Sequence, residues 1–406
     1  MIRPRATLLL VASAALLGGG YTWARTRAAK EDRSRNRITH PGPYPASSRS
    51  LQLIAQTPLA DLHADSLLWD RDLLARNTRG HLDLPRLLET HAALQLFSVV
   101  TQVPDPLRMR GNGDTTDGIR KLALVERWPP RTWASRFERA RYQADKLKAF
   151  AARSHGQLRL IRTRAELDAL LADRRAGKAV VGGVLSLEGA QALEGKLSNV
   201  DRLYDAGFRV IGLAHFFDNQ AAGSAHGKTG EGLTPFGRQL IPALEARGMI
   251  VDLAHASPRT LDDVATIATR PFIVSHTGVR ATCDSPRNLT DAQLRKVAAS
   301  GGVVGIGYWK VATCGTDARA VARSVKHAID VIGAEHVALG SDFDGAVAMP
   351  FDVTGVPMLL DALRAEGLSE EQLRLVIGEN VVRVLRQSWG SNTGGPGIEK
   401  SPLPSP

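Results

Sequence analysis

Short apolar runs recur through the middle of this chain, several of them ending in His, Asp or Glu, and that rhythm constrains the fold more than any other feature. Eight runs stand out, at residues 58–62, 93–99, 179–187, 210–214, 249–254, 272–275, 302–307 and 336–340. Most are rich in Val, Ile, Leu and Gly without polar–apolar alternation, the pattern of parallel strands covered on both faces. Segments with helical spacing lie between them, at 165–176, 236–247, 257–267, 290–298 and 316–332. Ser257 followed by Pro258 reads as an N-cap with proline in the first turn, and Thr290 with Gln293 as a capping box. Strand and helix alternating eight times predict an α/β fold, a (β/α)8 TIM-like barrel of the metal-dependent hydrolase type, over residues 57–388. The stretch from 101 to 160 exceeds an ordinary connection and contains a helical pattern at 133–152, so it reads as a helical insertion on the barrel.

In such a barrel, functional groups gather at the C-terminal ends of the strands. The first run ends in His63-Ala64-Asp65. Residues i and i+2 of a strand share a side, so this imidazole and carboxylate can reach one point, and the two are common ligands of Zn2+ and similar divalent metals. Later strand ends supply Glu188, His215, His255, His276 and Asp342; the second and seventh offer no clear ligand. Four of the chain's 11 histidines therefore occupy equivalent strand-end positions. Each alone would be read as a hydrogen-bonded structural residue; together they predict a two-metal hydrolase site. Of the other histidines, His40, His91, His155, His327 and His336 fall in linker, helix or loop contexts, while His81 and His226 lie in loops that could overhang the site. Asp344, next to Gly345, is expected to shape its loop.

Composition adds bounds. The net charge is +11, but residues 1–40 hold eight Arg or Lys against Glu31 and Asp32, which places +6 of it there. No basic stripe is interleaved with aromatics, so nucleic-acid binding is not expected. Arg3 and Arg5 precede an apolar run over residues 6–23, and no acid occurs before Glu31, so residues 1–24 read as a signal peptide or a single membrane anchor. The folded part is accordingly expected outside the cytoplasm: periplasmic, extracellular or membrane-anchored. Residues 25–56, rich in Arg, Ser, Pro and Asn, read as a partly disordered linker, and 389–406 as a disordered tail. Only Cys283 and Cys314 are present, and in an exported protein a lone pair favours one disulfide.

The motifs DLHAD (61–65), HLDLPRL (81–87), SLEG (186–189), LAHFFDN (213–219), VDLAH (251–255), IVSHTGVRATCDSPRN (273–288), LGSDFDG (339–345) and GENVVRVL (378–385) resemble those of the membrane (renal-type) dipeptidases. These are zinc peptidases of amidohydrolase-like barrel fold, and the resemblance covers about residues 60–385. It implies two Zn2+ ions, other divalent metals being alternatives. His63 and Asp65 would bind one, His255 and His276 the other, and Glu188 would bridge them. His215 would polarise or stabilise the substrate oxygen, Asp342 would handle protons, and Arg287 would grip the terminal carboxylate of a dipeptide. A metal-bridging hydroxide would then attack the amide carbonyl. A homodimer is usual for the family, and the spacing of Cys283 and Cys314 is similar to that of a disulfide in its mammalian members. The chain departs from the pattern at Leu62 and Ala64, where many relatives have Gly and Asn. Tyr308 and Trp309 are both candidates for an aromatic beside the substrate carboxylate. The alternative function is a related amidohydrolase acting on N-acyl amino acids, lactams or lactones.

Overall fold

The computed structural model describes residues 26–389. The expected signal or anchor segment, and all but the first residue of the expected tail, lie outside them. Nine strands occur: β1 (Leu59–Ala64), β2 (Ala92–Val100), β3 (Leu158–Leu160), β4 (Val181–Glu188), β5 (Phe208–Gly212), β6 (Ile250–Asp252), β7 (Val274–Thr277), β8 (Val304–Ile306) and β9 (Val337–Leu339). All eight predicted runs are among them; β3, three residues long, is the addition. One parallel sheet runs β1-β2-β4-β5-β6, with β3 beside the first residues of β4, and a second runs β7-β8-β9. Both seams are joined. Leu253 N–H donates to Ile273 O (2.8 Å) and Ile273 N–H to Val251 O (2.9 Å), linking β6 to β7; Asp65 N–H donates to Phe343 O (2.9 Å), linking the end of β1 to the segment after β9. The strands therefore close into the predicted eight-stranded barrel, with β3 outside the ring.

Helices wrap the outside, as burial of both strand faces requires. On β1, Ala60 and Leu62 pack in one apolar cluster with Leu167 and Leu170 of the helix Arg164–Arg175 and with Val381 and Leu385 of the helix Asn380–Trp389. The alternate residues turn the other way: Asp61 accepts hydrogen bonds from Gln95 Nε2 (3.2 Å) and Ser341 N (2.7 Å), and His63 reaches the site. The expected caps are present. Ser257 accepts from Thr260 N–H at the start of Pro258–Ile267, and Thr290 and Gln293 form both halves of the capping box.

Two glycines are required by close approach. A Cβ on Gly340 would lie 1.9 Å from the carbonyl oxygen of Ser275, and one on Gly305 would lie 2.0 Å from the same atom. Strands β7, β8 and β9 can cross this tightly beneath the site only because neither position carries a side chain.

The linker expected over residues 25–56 is corrected by the structure. Residues 26–35 are helical, a second helix spans Ser48–Gln56, and the segment is pinned to the barrel at several points. Asp32 is buried against Arg71 (3.2 Å) and Arg79 (2.6 Å), Ile38 pairs with Met349, and Tyr44 meets Phe351 edge-on at 6.2 Å between centroids. Ser47 and Ser50 hydroxyls both donate to Asp361, each at 2.6 Å. Low apolar content hides this strap: it is held by polar pairs to distant partners and by Leu53 and Ile54, which enter the main core. In the insertion, the helices Gly118–Val125 and Arg136–Arg153 lie between β2 and β3. Cys283 and Cys314 form a disulfide closing 31 residues. Among the described residues, no helix is long and apolar enough to cross a membrane.

Candidate active site

Each candidate ligand sits where a strand gives way to a loop, and the barrel's curvature turns these ends toward a common centre. Glu188 closes β4, His276 lies within β7, and His63 within β1. His255 and Asp342 follow β6 and β9 and hold left-handed backbone conformations, with φ of 62° and 64°. A non-glycine residue in that region is uncommon and costs about 1–3 kcal/mol. Here it bends the chain sharply off the strand, so that each side chain faces the centre.

Glu188 is the hub. Its Oε1 lies 3.0 Å from His255 Nε2, 3.5 Å from His276 Nε2 and 3.7 Å from His63 Nε2, while Oε2 lies 3.3 Å from His215 Nε2. His63 Nε2 is in turn 3.5 Å from Asp65 and 4.0 Å from Asp342. The seven residues His63, Asp65, Glu188, His215, His255, His276 and Asp342 are all buried. Their ligand atoms fall into three overlapping groups compact enough for a metal: His63, Glu188, His276; Glu188, His215, His255; and His63, Asp65, Asp342. The structure thus assembles every strand-end residue picked from sequence. It groups them across the division that the resemblance implies: His63 and His276 share a group with Glu188, His215 joins Glu188 and His255, and Asp342 joins His63 and Asp65.

The electrostatics of this cluster call for cations. Three carboxylates lie buried in this cluster, and burial, reinforced by the neighbouring Asp65 and Asp342, pushes Glu188 well above the carboxylate range. Burial likewise pushes Asp342 up to about 8. Burial lowers His63, but Asp65 and Glu188 outweigh it and hold it at about 10. His215, His255 and His276 are kept well below the usual imidazole value, first by burial and then by neighbouring positive groups. Polar atoms are left over as well: His63 Nε2 and Asp65 Oδ1 are buried without a hydrogen-bond partner. Such atoms are costly unless something fills their coordination. His255 and His276 present Nε2 to Nε2 at 2.9 Å, two nitrogens that can share at most one proton. Imidazoles and carboxylates meeting in this way are the donor set of a zinc-type site, so these residues fit the metals that the sequence implies.

A surrounding layer fixes the ligands. Ser275 Oγ lies 3.0 Å from His276 Nδ1 and 3.4 Å from His63 Nδ1. Asp252 Oδ1 accepts from Ser275 N (2.8 Å) and Ala254 N (3.0 Å), and Ser341 Oγ donates to His63 O (3.1 Å) while also bonding Asp61. Sequence reasoning passed over Asp61, Asp252, Ser275 and Ser341; their one signal was position, a single turn or less from a ligand. Such supporting contacts orient ligating imidazoles and tune them.

Arg287 reaches the same centre. Its Nη2 donates to His276 O at 2.6 Å, Nε has no hydrogen-bond partner among the described residues, and burial lowers its pKa to about 10 despite Asp342 and Glu188 nearby. Of the two aromatic candidates, Trp309 stands here, with its ring 5.8 Å from His276 and 5.9 Å from the Arg287 guanidinium. Tyr308 instead packs on Phe343 and Phe351 in the core. His81 does not overhang the site; its Nδ1 accepts from Asp344 N (2.9 Å), and burial lowers it to about 4. Asp344 is buried among Ser66, His81 and Arg71, an anchor for its loop. His226 does lie beside the site, 5.1 Å from the His255 ring.

Residues 47–392 match the family described as membrane dipeptidase, peptidase family M19. The chain belongs to the M19 dipeptidases. With them, it is a metallopeptidase that hydrolyses peptide bonds. An uncharacterized protein from the pqqA 5′ region of Klebsiella pneumoniae is 36% identical to this M19 chain over 259 residues, 60% of this chain and 93% of its own length. The dipeptidase verJ of Clonostachys rogersoniana is 30% identical over 360 residues, covering 83% and 86%. Among solved structures, the dipeptidase AC, an M19 metallopeptidase, superposes with a TM-score of 0.67 at 30% identity, covering 82% of this chain and 99% of its own. A metallopeptidase from Rhodobacter sphaeroides, liganded with a phosphinate mimic of the dipeptide L-Ala-D-Ala, gives 0.68 at 28% identity, with the same coverage.

Proposed function

We propose that this M19 metallo-dipeptidase works with two zinc ions, held by His63 and Asp65 on one side and His255 and His276 on the other, with Glu188 between them. The observation that supports it best is the position of Glu188, whose carboxylate faces imidazoles with both oxygens. A single carboxylate set among several donors is what two closely spaced cations need to offset their repulsion. When bound, the metals would supply Lewis acidity and a water acidic enough to ionise near neutral pH.

The chain's own residues do the rest. Asp342, protonated more readily than an ordinary aspartate because it is buried, takes the proton of the attacking water and returns it to the leaving amine. His215, neutral and turned toward Glu188, stabilises the charge that grows on the carbonyl oxygen. Arg287, anchored through Nη2 with Nε left over, binds the C-terminal carboxylate of the dipeptide. The dipeptide mimic held by the Rhodobacter sphaeroides relative favours this substrate class. N-acyl amino acids, lactams and lactones form the second reading, since several of these also present a carboxylate to Arg287.

The test is metal analysis of the purified protein together with a panel of dipeptides and matched N-acyl amino acids. About two zinc ions per chain are expected, with dipeptide hydrolysis lost to a chelator and restored by Zn2+. Glu188→Gln should hold less metal than the parent protein. A metal-loaded protein that ignores every dipeptide but cleaves N-acyl amino acids would transfer the assignment to the second reading. Export and homodimerisation are carried as proposals too, to be checked by cell fractionation and by light scattering.

A further inference from the structure

Two loops join above the catalytic cluster, and a single imidazole faces inward from their junction. The segment after β2 meets the segment after β5 through Asn112, whose backbone N–H and side-chain Nδ2 both donate to His226 O at 3.0 and 3.2 Å, and through Gly111 N–H to Gly227 O at 3.2 Å. Ser224 fastens the junction to the site: its hydroxyl donates to the carbonyl of His215 and accepts from His226 N at 3.0 Å. His226 is fully buried. Its ring lies 5.1 Å from His255 and 4.7 Å from Phe216, which itself packs 4.5 Å from His215.

The protonation of this ring follows from its contacts. His226 Nδ1 lies 2.9 Å from the carbonyl oxygen of Met109, an atom that can only accept. The proton therefore sits on Nδ1, and Nε2 carries a lone pair. Nε2 is buried and has no partner among the described residues. The result is one desolvated acceptor beside His255 and Phe216, with nothing in the described chain to donate to it. An unsatisfied buried acceptor is expensive and is retained where a ligand completes it.

We propose that His226 is a specificity-determining residue whose Nε2 accepts a hydrogen bond from a donor-bearing side chain on the C-terminal residue of the substrate. The inference rests on the dipeptide reading above: Arg287, which would hold the C-terminal carboxylate, is bonded to His276 O, and His276 meets His255, the ring against which His226 packs. It names a substrate class: dipeptides whose second residue carries a hydroxyl, amide or amine. A pocket built around a hydrogen bond rejects an isostere that lacks the donor, because the buried acceptor is then left unpaired.

Thr and Val have nearly the same shape and differ in that donor. The zinc-loaded full chain should therefore cleave Ala-Thr with a kcat/KM at least about tenfold above that for Ala-Val, in the L or the D series. His226→Leu should bring the ratio toward one, and His226→Gln, which keeps an acceptor at similar reach, should preserve part of it. Equal rates for Ala-Thr and Ala-Val in the wild-type protein would overturn the inference without any variant being needed. So would an unchanged ratio in His226→Leu, or discrimination confined to the pair Thr-Ala and Val-Ala. Failure to hydrolyse any dipeptide would overturn the dipeptide reading and this inference together, whereas hydrolysis with a flat ratio sinks this inference alone.

Discussion

Replacing Asp344 by Ala tests whether the loop that carries Asp342 is held as the structure describes. Asp344 is fully buried; its carboxylate accepts from Ser66 Oγ at 2.6 Å and His81 N at 2.7 Å and pairs with Arg71 Nη2 at 3.0 Å. Removing it leaves two donors unsatisfied, at about 1–3 kcal/mol each when water cannot reach them. It also leaves a buried guanidinium with Asp32, at 3.2 Å, as its one remaining ion-pair partner among the described residues. These effects overlap, since one carboxylate serves all three partners, so the buried-pair figure of about 3–5 kcal/mol is the better expectation than their sum. The comparison is Arg280→Ala, which breaks an exposed pair with Asp284 at 2.9 Å and should cost less than about 1 kcal/mol. Burial raises the pKa of Asp344, but Arg71, His81 and Ser66 outweigh it and hold the net value below normal. A depressed native pKa means that this stabilisation is complete above the ordinary aspartate range and disappears as pH falls through it. Urea unfolding followed by tryptophan fluorescence should thus show a large deficit for Asp344→Ala at pH 7 and a smaller one near pH 3. A deficit no greater than that of Arg280→Ala at pH 7 would refute the reasoning.

Three further outcomes are expected. Arg287→Met should raise KM for dipeptides by about 10–100-fold while altering kcat less, as expected for loss of a charge-assisted contact worth about 1.5–3 kcal/mol, read from initial rates. Burial raises Glu126 to about 7 against the opposing pull of Lys146, so the folded state holds its proton longer than the unfolded state does. Its contribution to stability therefore falls as pH rises between about 4.5 and 7, and Glu126→Gln should flatten the unfolding midpoint across that window. Replacing both Cys283 and Cys314 by Ser should destabilise the fold by about 2–4 kcal/mol, from a closed loop of 31 residues, measured by urea unfolding under oxidising conditions.

The sequence displayed the barrel and the cluster for physical reasons that did not extend to everything else. Parallel strands buried on both faces must be written as apolar runs, and a residue aimed inward from a strand end must stand just after one. His63, Glu188, His215, His255, His276 and Asp342 were legible on those grounds alone. The strap over residues 26–56 was not, since Asp32 and Ser50 look like solvated polar residues until Arg71, Arg79 and Asp361 are brought against them. Choosing between Tyr308 and Trp309 needed the direction in which each side chain leaves the end of β8, which adjacency in sequence leaves open. His226 needed more still: its meaning comes from a carbonyl at Met109, 117 positions away and on another loop.

The tight crossing of β7, β8 and β9 also bears on how this enzyme could be redesigned. With Gly305 and Gly340 both pressed against the Ser275 carbonyl, neither position can take a side chain. Libraries aimed at new substrates should therefore leave these two glycines untouched and vary the two joined rim segments, around residues 107–112 and 225–233, keeping Phe216 and Ser224, which touch His215. Selection there can reshape what the enzyme admits without disturbing the apparatus that cuts it.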